Sequence, residues 1–315
     1  LQEKDAEFAN RKGFSKHKPA LPLYRVVDAE RTMRQFRTVA WHKEIELPGN
    51  ARMLMRRAGH ILGAATLQID IAGKRIVFSG DLGRYNDTVM HDPEPVTEAD
   101  YIVVESTYGN RRHDAADPQE ALAQVIERTV SRGGTVVIPA FAVGRAQSLI
   151  YQLWRLKQAG RLKNVPIYLD SPMATSATEL LCRHNVDHKL TADECAAACG
   201  AVNYIRDVEE SKALSANRYP KVIISASGMA TGGRVLHHIA AFGGDHRNTL
   251  LFSGFQAAGT RGRKLLEGAR EVKIYGHWMP VNAEVTELPM LSAHADSDEL
   301  MRWLSGFQCP PRRVF

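Results

Sequence analysis

The stretch Thr135-Val-Val-Ile-Pro-Ala-Phe-Ala-Val-Gly-Arg145-Ala-Gln-Ser-Leu-Ile150 passes from a β-branched run, through small residues, into helical spacing. A buried strand over 135–139, a tight loop and a helix over 146–156 are the expected elements. The same unit recurs on both sides of it. A strand over 101–105 precedes a helix over 118–131, whose apolar positions Leu122, Val125, Ile126 and Val130 share one face. Strands over 167–169, 222–225 and 250–252 follow, the last two leading into helices over 234–242 and 263–266. Repeated strand, small-residue loop and helix specify an α/β fold with a parallel sheet, in which ligands collect beyond the C-terminal strand ends.

Outside this region the texture differs. Runs at 67–71 and 75–78, joined at Ala72-Gly73-Lys74, read as an antiparallel hairpin. Residues 1–50 are polar and mixed, with a loop at 16–22 and a short helix expected over 28–37. A helix over 297–304 is expected near the C-terminus, where Ser297 and Glu299 suit its first turn.

Composition excludes several classes. With 315 residues, 44% hydrophobic and 24% charged, the chain can bury one large or two ordinary cores. No apolar run approaches the roughly 18 to 20 residues of a membrane helix, so we expect a soluble protein with no membrane partner. Four cysteines, Cys182, Cys195, Cys199 and Cys309, are too few for a disulfide framework in a chain this long. A reducing, cytoplasmic location is the expectation. The whole net charge of +6 lies in residues 1–60, which suits a polyanion such as nucleic acid as well as an Arg-rich solvated surface. Both ends look cut, from Leu1 to a turn at Cys309-Pro-Pro that opens a strand without completing it, so a segment of a longer polypeptide is expected.

The chemistry-bearing residues lie where strands meet loops. Arg145, the run Ser227-Gly228-Met-Ala-Thr-Gly232-Gly233, and Gln256 to Arg261 with Thr260 could hold phosphates, or could serve tight turns only. The spacing matches neither a P-loop nor a dinucleotide fingerprint. Asp81 and Glu105 each follow an apolar strand, where a carboxylate binds metal, exchanges protons or caps a turn. His60 sits between Gly59 and Gly63 and fits a core histidine as well as a ligand, while capping leaves His294 unexplained. His184 and His188 with Cys195 and Cys199 have zinc-like spacing, although surface histidines and buried cysteines are the commoner outcome. No Gly-x-Ser-x-Gly elbow is present, which sets a serine hydrolase aside.

The ordered set Ala-Gly-His60, Ser-Gly-Asp81, Glu105-Ser-Thr-Tyr-Gly, Ile-Pro-Ala-Phe-Ala-Val-Gly-Arg145-Ala-Gln, Leu-Asp-Ser-Pro-Met173, Ser-Gly-Met-Ala-Thr-Gly-Gly233 and Ser-Ala-His294-Ala-Asp resembles the β-CASP branch of the metallo-β-lactamase superfamily. These are RNA-processing nucleases, and the resemblance runs from about His60 to the C-terminus. It implies an αββα metallo-β-lactamase fold, present in part, over 1–111 and 289–315, with an inserted parallel α/β β-CASP domain over 112–288. It implies metal-dependent hydrolysis of RNA phosphodiester bonds, with two zinc ions per complete site.

His60 then matches a zinc ligand and Asp81 the bridging carboxylate. Glu105 and His294 match an acid–histidine pair that protonates the departing oxygen. Arg145, Ser227, Gly228, Gly232, Gly233, Gln256, Thr260 and Arg261 would grip single-stranded RNA, and a homodimer is allowed. The family's His-x-His-x-Asp-His motif does not occur in this sequence, nor does the histidine motif expected shortly after Phe315. The expectation is therefore a weakly active segment, the alternative being a non-catalytic RNA-binding relative.

Overall fold

A computed structural model describes residues 2–13 and 15–315. Residues 1–43 form a compact unit of their own, containing α1 (Gln2–Lys12) and α2 (Val26–Met33). The expected helix at 28–37 thus lies two residues earlier and ends four residues sooner. The second unit, Glu44–Phe315, carries both sheets.

It opens with β1 (Ile45–Leu47), β2 (Ala51–Arg57), β3 (Ala65–Ile71) and β4 (Lys74–Phe78), an antiparallel meander, followed by β5 (Tyr101–Val103), which pairs parallel to β4. The hairpin turn expected at 72–74 sits at Ala72 and Gly73, both at positive φ, as a tight two-residue turn requires. α3 (Pro118–Ser131) then begins on Asp117, whose carboxylate accepts the Gln119 N–H.

The parallel sheet is built from β6 (Val136–Pro139), β7 (Ile167–Asp170), β8 (Asn203–Tyr204), β9 (Val222–Ser225) and β10 (Thr249–Phe252). The helices α4 (Arg145–Gln158), α5 (Pro172–Arg183), α6 (Ala192–Gly200), α7 (Val208–Ala216), α8 (Val235–Phe242) and α9 (Arg261–Leu266) alternate with them. A ribbon of β11 (Glu271–Ile274) and β12 (His277–Pro280) precedes β13 (Glu284–Glu287). The sheet order is β13-β10-β6-β9-β7-β8, every pairing parallel.

Strands β6, β9 and β10 are buried at every position, as apolar runs covered by helices on both faces should be. One core joins Leu122, Ile126, Ile138, Leu149, Leu153 and Leu169. The other joins Ile223, Val235, Ile239, Phe242, Leu250 and Phe252.

The chain then returns to the first sheet. α10 (Ser297–Leu304) places Leu300 and Trp303 in a third core with Ala58, Val77, Leu82 and Ile102. The strand expected only to open at the C-terminus does pair: β14 (Arg313–Val314) runs parallel beside β5, and the Val104 N–H donates to the Phe315 carbonyl. The two six-stranded sheets are distinct, with no strand shared between them among the described residues.

A fully buried carboxylate pins the parallel domain. Asp170, at the end of β7, accepts hydrogen bonds from Ser211 (2.5 Å), Arg234 (2.6 Å) and His238 (2.7 Å), and Ser215 hydrogen-bonds the other nitrogen of His238. Burial alone would raise the Asp170 carboxyl, but bonds from His238, Ser211 and Arg234 outweigh it and hold the group below its ordinary value. Its contribution is therefore full above the unfolded-chain value of about 3.9 and is lost as pH falls through the lower folded value. Asp170→Asn should cost about 3 kcal/mol or more at neutral pH by leaving the Arg234 guanidinium without its carboxylate. Urea unfolding should show that deficit shrinking as the pH is taken below 4; a deficit independent of pH would refute the ionised network.

Candidate metal and RNA site

Three segments far apart in sequence are laced together by main-chain contacts. Gly83 N–H donates to the Ala58 carbonyl (2.7 Å) and Ala295 N–H to that of Leu82 (2.9 Å). Isolated bridges join Gly59 to Leu82 and Gly83 to His294. The approach leaves no room for side chains: a Cβ on Gly83 would lie 2.0 Å from the Gly59 oxygen, and one on Gly59 2.5 Å from the His91 oxygen. Gly59 also has a φ of +75°, which favours glycine.

This lacing delivers His60, Asp81 and His294 to one point. Their donor atoms lie within 4.8 Å of one another, with His60 Nε2 3.9 Å from Asp81 Oδ2 and the imidazole centroids 4.2 Å apart. His60 is largely buried, and its Nδ1 makes no hydrogen bond of normal geometry. Burial first, and the neighbouring His294 second, hold its imidazole below the ordinary histidine value, so it is neutral near pH 7. Two imidazoles and a solvent-facing carboxylate, with an orphaned buried nitrogen among them, are a donor set that fits a divalent metal ion.

Glu105 stands behind His294. Its carboxylate lies 3.2 and 3.4 Å from His294 Nδ1 and accepts the Leu82 N–H at 2.5 Å, while its own N–H donates to Ser79 Oγ. Burial would raise this carboxyl, but the bonds from His294, Thr107 and Leu82 prevail and keep it below its ordinary value. An ionised Glu105 assigns the proton of His294 to Nδ1 and leaves Nε2 facing the cleft. His113, which the sequence reading passed over, steadies the same loop: its Nε2 meets the His294 carbonyl at 2.9 Å and its N–H donates to Asp296. No spacing signal marks it.

The cleft over this point holds about 460 Å³ and is walled by the parallel domain through Phe141, Val143, Arg145, Met173, Met229 and Phe255. Arg145 is buried, and among the described residues its guanidinium makes no hydrogen bond or ion pair. Burial pushes it down to about 10, still charged at neutral pH.

The other residues expected to grip phosphate are placed differently. Ser227 Oγ accepts N–H groups of Thr231 and Gly232, closing its own loop, and Gly233 packs on the Ala226 carbonyl. Gln256 is buried and donates to the carbonyls of Gly228, Gly254 and Phe255. Thr260 caps α9, and Arg261 donates to the carbonyls of Lys273, Ala230 and Thr231. These groups shape the loops. The zinc-like set at His184, His188, Cys195 and Cys199 is not assembled: His188 spends Nε2 on the Leu181 carbonyl and Nδ1 on the Leu190 N–H, and His184 is exposed beside Asp187.

Comparison with known proteins accords with this geometry. Residues 146–265 match the Beta-Casp domain, and residues 278–315 match the Zn-dependent metallo-hydrolase RNA specificity domain. Ribonuclease TTHA0252 of Thermus thermophilus is 34% identical over 292 residues, covering 90% of this chain and 67% of that protein. An RNase J-like protein of Methanocaldococcus jannaschii is 29% identical over 295 residues, covering 92% and 69%. The transcription termination factor FttA of Methanosarcina mazei is 31% identical over 304 residues, covering 90% of this chain but 47% of that protein. A crystal structure of a protein of unknown function from Enterococcus faecalis aligns over all of this chain and 68% of its own, with a TM-score of 0.50 and 12% identity, a likeness of fold alone. The chain belongs to the β-CASP family of metallo-β-lactamase-fold RNA nucleases.

Gly83→Ala should force the lacing apart, at a cost of about 1–3 kcal/mol typical of overpacking, with loss of metal retention. Gly232→Ala is the control, since a Cβ there meets nothing within 4 Å. Equal metal content and melting temperature for Gly83→Ala and wild type would show that the lacing does not hold the site.

Proposed function

We propose that this chain hydrolyses phosphodiester bonds of single-stranded RNA in the cleft between the two sheets. One observation carries the reading: the same cleft is lined by the His60, Asp81 and His294 donor group and by a buried guanidinium, Arg145, that has no hydrogen-bond or ion-pair partner among the described residues. A buried unpaired cation is costly, and an anionic phosphate is the ligand that repays it.

His60 and Asp81 would hold a zinc ion. When bound, zinc supplies a polarised phosphoryl oxygen and a water acidic enough to attack at neutral pH. Arg145 binds and orients the scissile phosphate. His294, its Nδ1 tied to Glu105, carries a proton on Nε2 to the departing oxygen once protonated, and Glu105 stabilises that imidazolium. His60 and Asp81 offer donors for one ion, so cleavage by this chain is expected to be slower than at a site with donors for two.

Single-stranded substrate is favoured by the cleft wall. Phe141, Met173 and Phe255 are 45%, 54% and 36% exposed, an apolar surface that suits unstacked bases. The free thiols of all four cysteines suit the cytoplasm.

Zinc-dependent cleavage of a labelled RNA tests the reading. Asp81→Asn should abolish cleavage and metal retention together, whereas binding without cleavage at any zinc concentration would make the chain a non-catalytic RNA-binding member. His294→Ala should keep the metal and slow cleavage by on the order of 10²- to 10⁴-fold; loss of the metal instead would make His294 a ligand.

Two further substitutions separate phosphate from base recognition. Arg145→Met should leave thermal stability unchanged or raised, weaken RNA binding, and reduce the slope of log affinity against log salt by about 0.7. Phe141→Ala should weaken binding roughly fivefold or more at every salt concentration without changing that slope, since stacking is worth about 1–3 kcal/mol per base. Unaltered binding by both variants would remove the cleft as the RNA site.

A further inference from the structure

The helices α5 and α6 bring three cysteines together on the side of the parallel domain. Cys195 and Cys199 lie one turn apart on the same face of α6, and Cys182 reaches them from the last turn of α5. The three sulfurs lie within 4.8 Å of one another, with Cys182 Sγ 3.0 Å from Cys199 Sγ. Cys195 is buried in the larger core with Leu181, Leu190 and Ala198, while Cys182 and Cys199 pack at its edge and remain partly accessible.

No other side chain completes this group among the described residues. Both nitrogens of His188 are already committed, and His184 points to Asp187. A closed structural zinc site takes four protein ligands. Thiolate ligands favour copper(I), zinc and iron–sulfur clusters, and of these copper(I) is the ion stable in a three-coordinate thiolate shell with no fourth side chain.

We propose that Cys182, Cys195 and Cys199 form a binding site for a single soft, thiophilic ion, copper(I), separate from the His60 and Asp81 centre. Binding replaces thiol protons with the ion, with no change in oxidation state. Because the ion takes the place of thiol protons, uptake strengthens as pH rises.

The test is an anaerobic titration of the whole chain with copper(I) against a chromogenic copper(I) chelator, with near-ultraviolet absorption reporting thiolate ligation. Wild type should retain one equivalent and develop the charge-transfer band, with affinity rising between pH 6 and 8. Cys195→Ser should lose both, and Cys182→Ala, altered at the partly accessible edge, should do the same with circular dichroism unchanged. Cys309→Ser should retain copper(I) as the wild type does, and Asp81→Asn, whatever its effect on cleavage, should develop the same thiolate band. Failure of the folded wild type to withdraw copper from the chelator would overturn the site, as would equal retention by Cys195→Ser. So would a Cys182–Cys199 disulfide in protein prepared without oxygen.

Discussion

The contact between the Gly59 carbonyl and the Gly83 backbone is the constraint on which the site depends. Two loops that leave different strands meet main chain to main chain, and a third, carrying His294, adds a bridge on the other side. Side-chain packing adjusts by rotamer changes, whereas backbone hydrogen bonds near 2.7 to 2.9 Å set positions within tenths of an ångström. Residues 60, 81 and 294 come from three separate segments, and no single element could bring their donor atoms within 4.8 Å of one another. The core of Ala58, Val77, Leu82, Ile102 and Trp303 lies directly under the lacing and resists its displacement.

Two arginines, Arg145 buried and Arg234 half-buried, show how the same side chain is handled in different settings. Arg234 is met inside the parallel domain by Asp170, itself saturated by Ser211 and His238, so the charge serves architecture. Arg145 opens α4 beside the cleft, and among the described residues its guanidinium has no hydrogen-bond or ion-pair partner. One strand-end loop, after β9, turns its guanidinium toward a carboxylate, whereas the loop after β6 leads a guanidinium to the cleft.

The parallel domain was legible because its strands are apolar throughout and its helices keep a strict periodic face; the limits of 118–131, 222–225 and 297–304 agree with the structure. The hairpin at Ala72 and Gly73 was equally plain. His60, Asp81, Glu105 and His294 were each ambiguous as single residues, and only the ordered resemblance joined Glu105 to a histidine 189 positions away. What pattern could not convey was direction. Gln256, Thr260 and Arg261 have the composition of a phosphate grip, yet backbone carbonyls and a helix cap claim them. His184 and His188 have ligand spacing, but Cys182, outside that spacing, is what approaches Cys199. The Asp170 network was invisible for the same reason, because its partners come from two helices, 41 to 68 positions along the chain from it.

The cleft has a floor and a wall of separate origin. His60, Asp81, Glu105 and His294 stand on the first sheet and its core, whereas Arg145, Phe141, Met173 and Phe255 stand on the parallel domain. None of the laced backbone passes through the loops after β6, β7 and β10, so those loops can change in sequence without displacing His60, Asp81 or His294. A wall built on such loops is free to diverge while the floor keeps its residues in place.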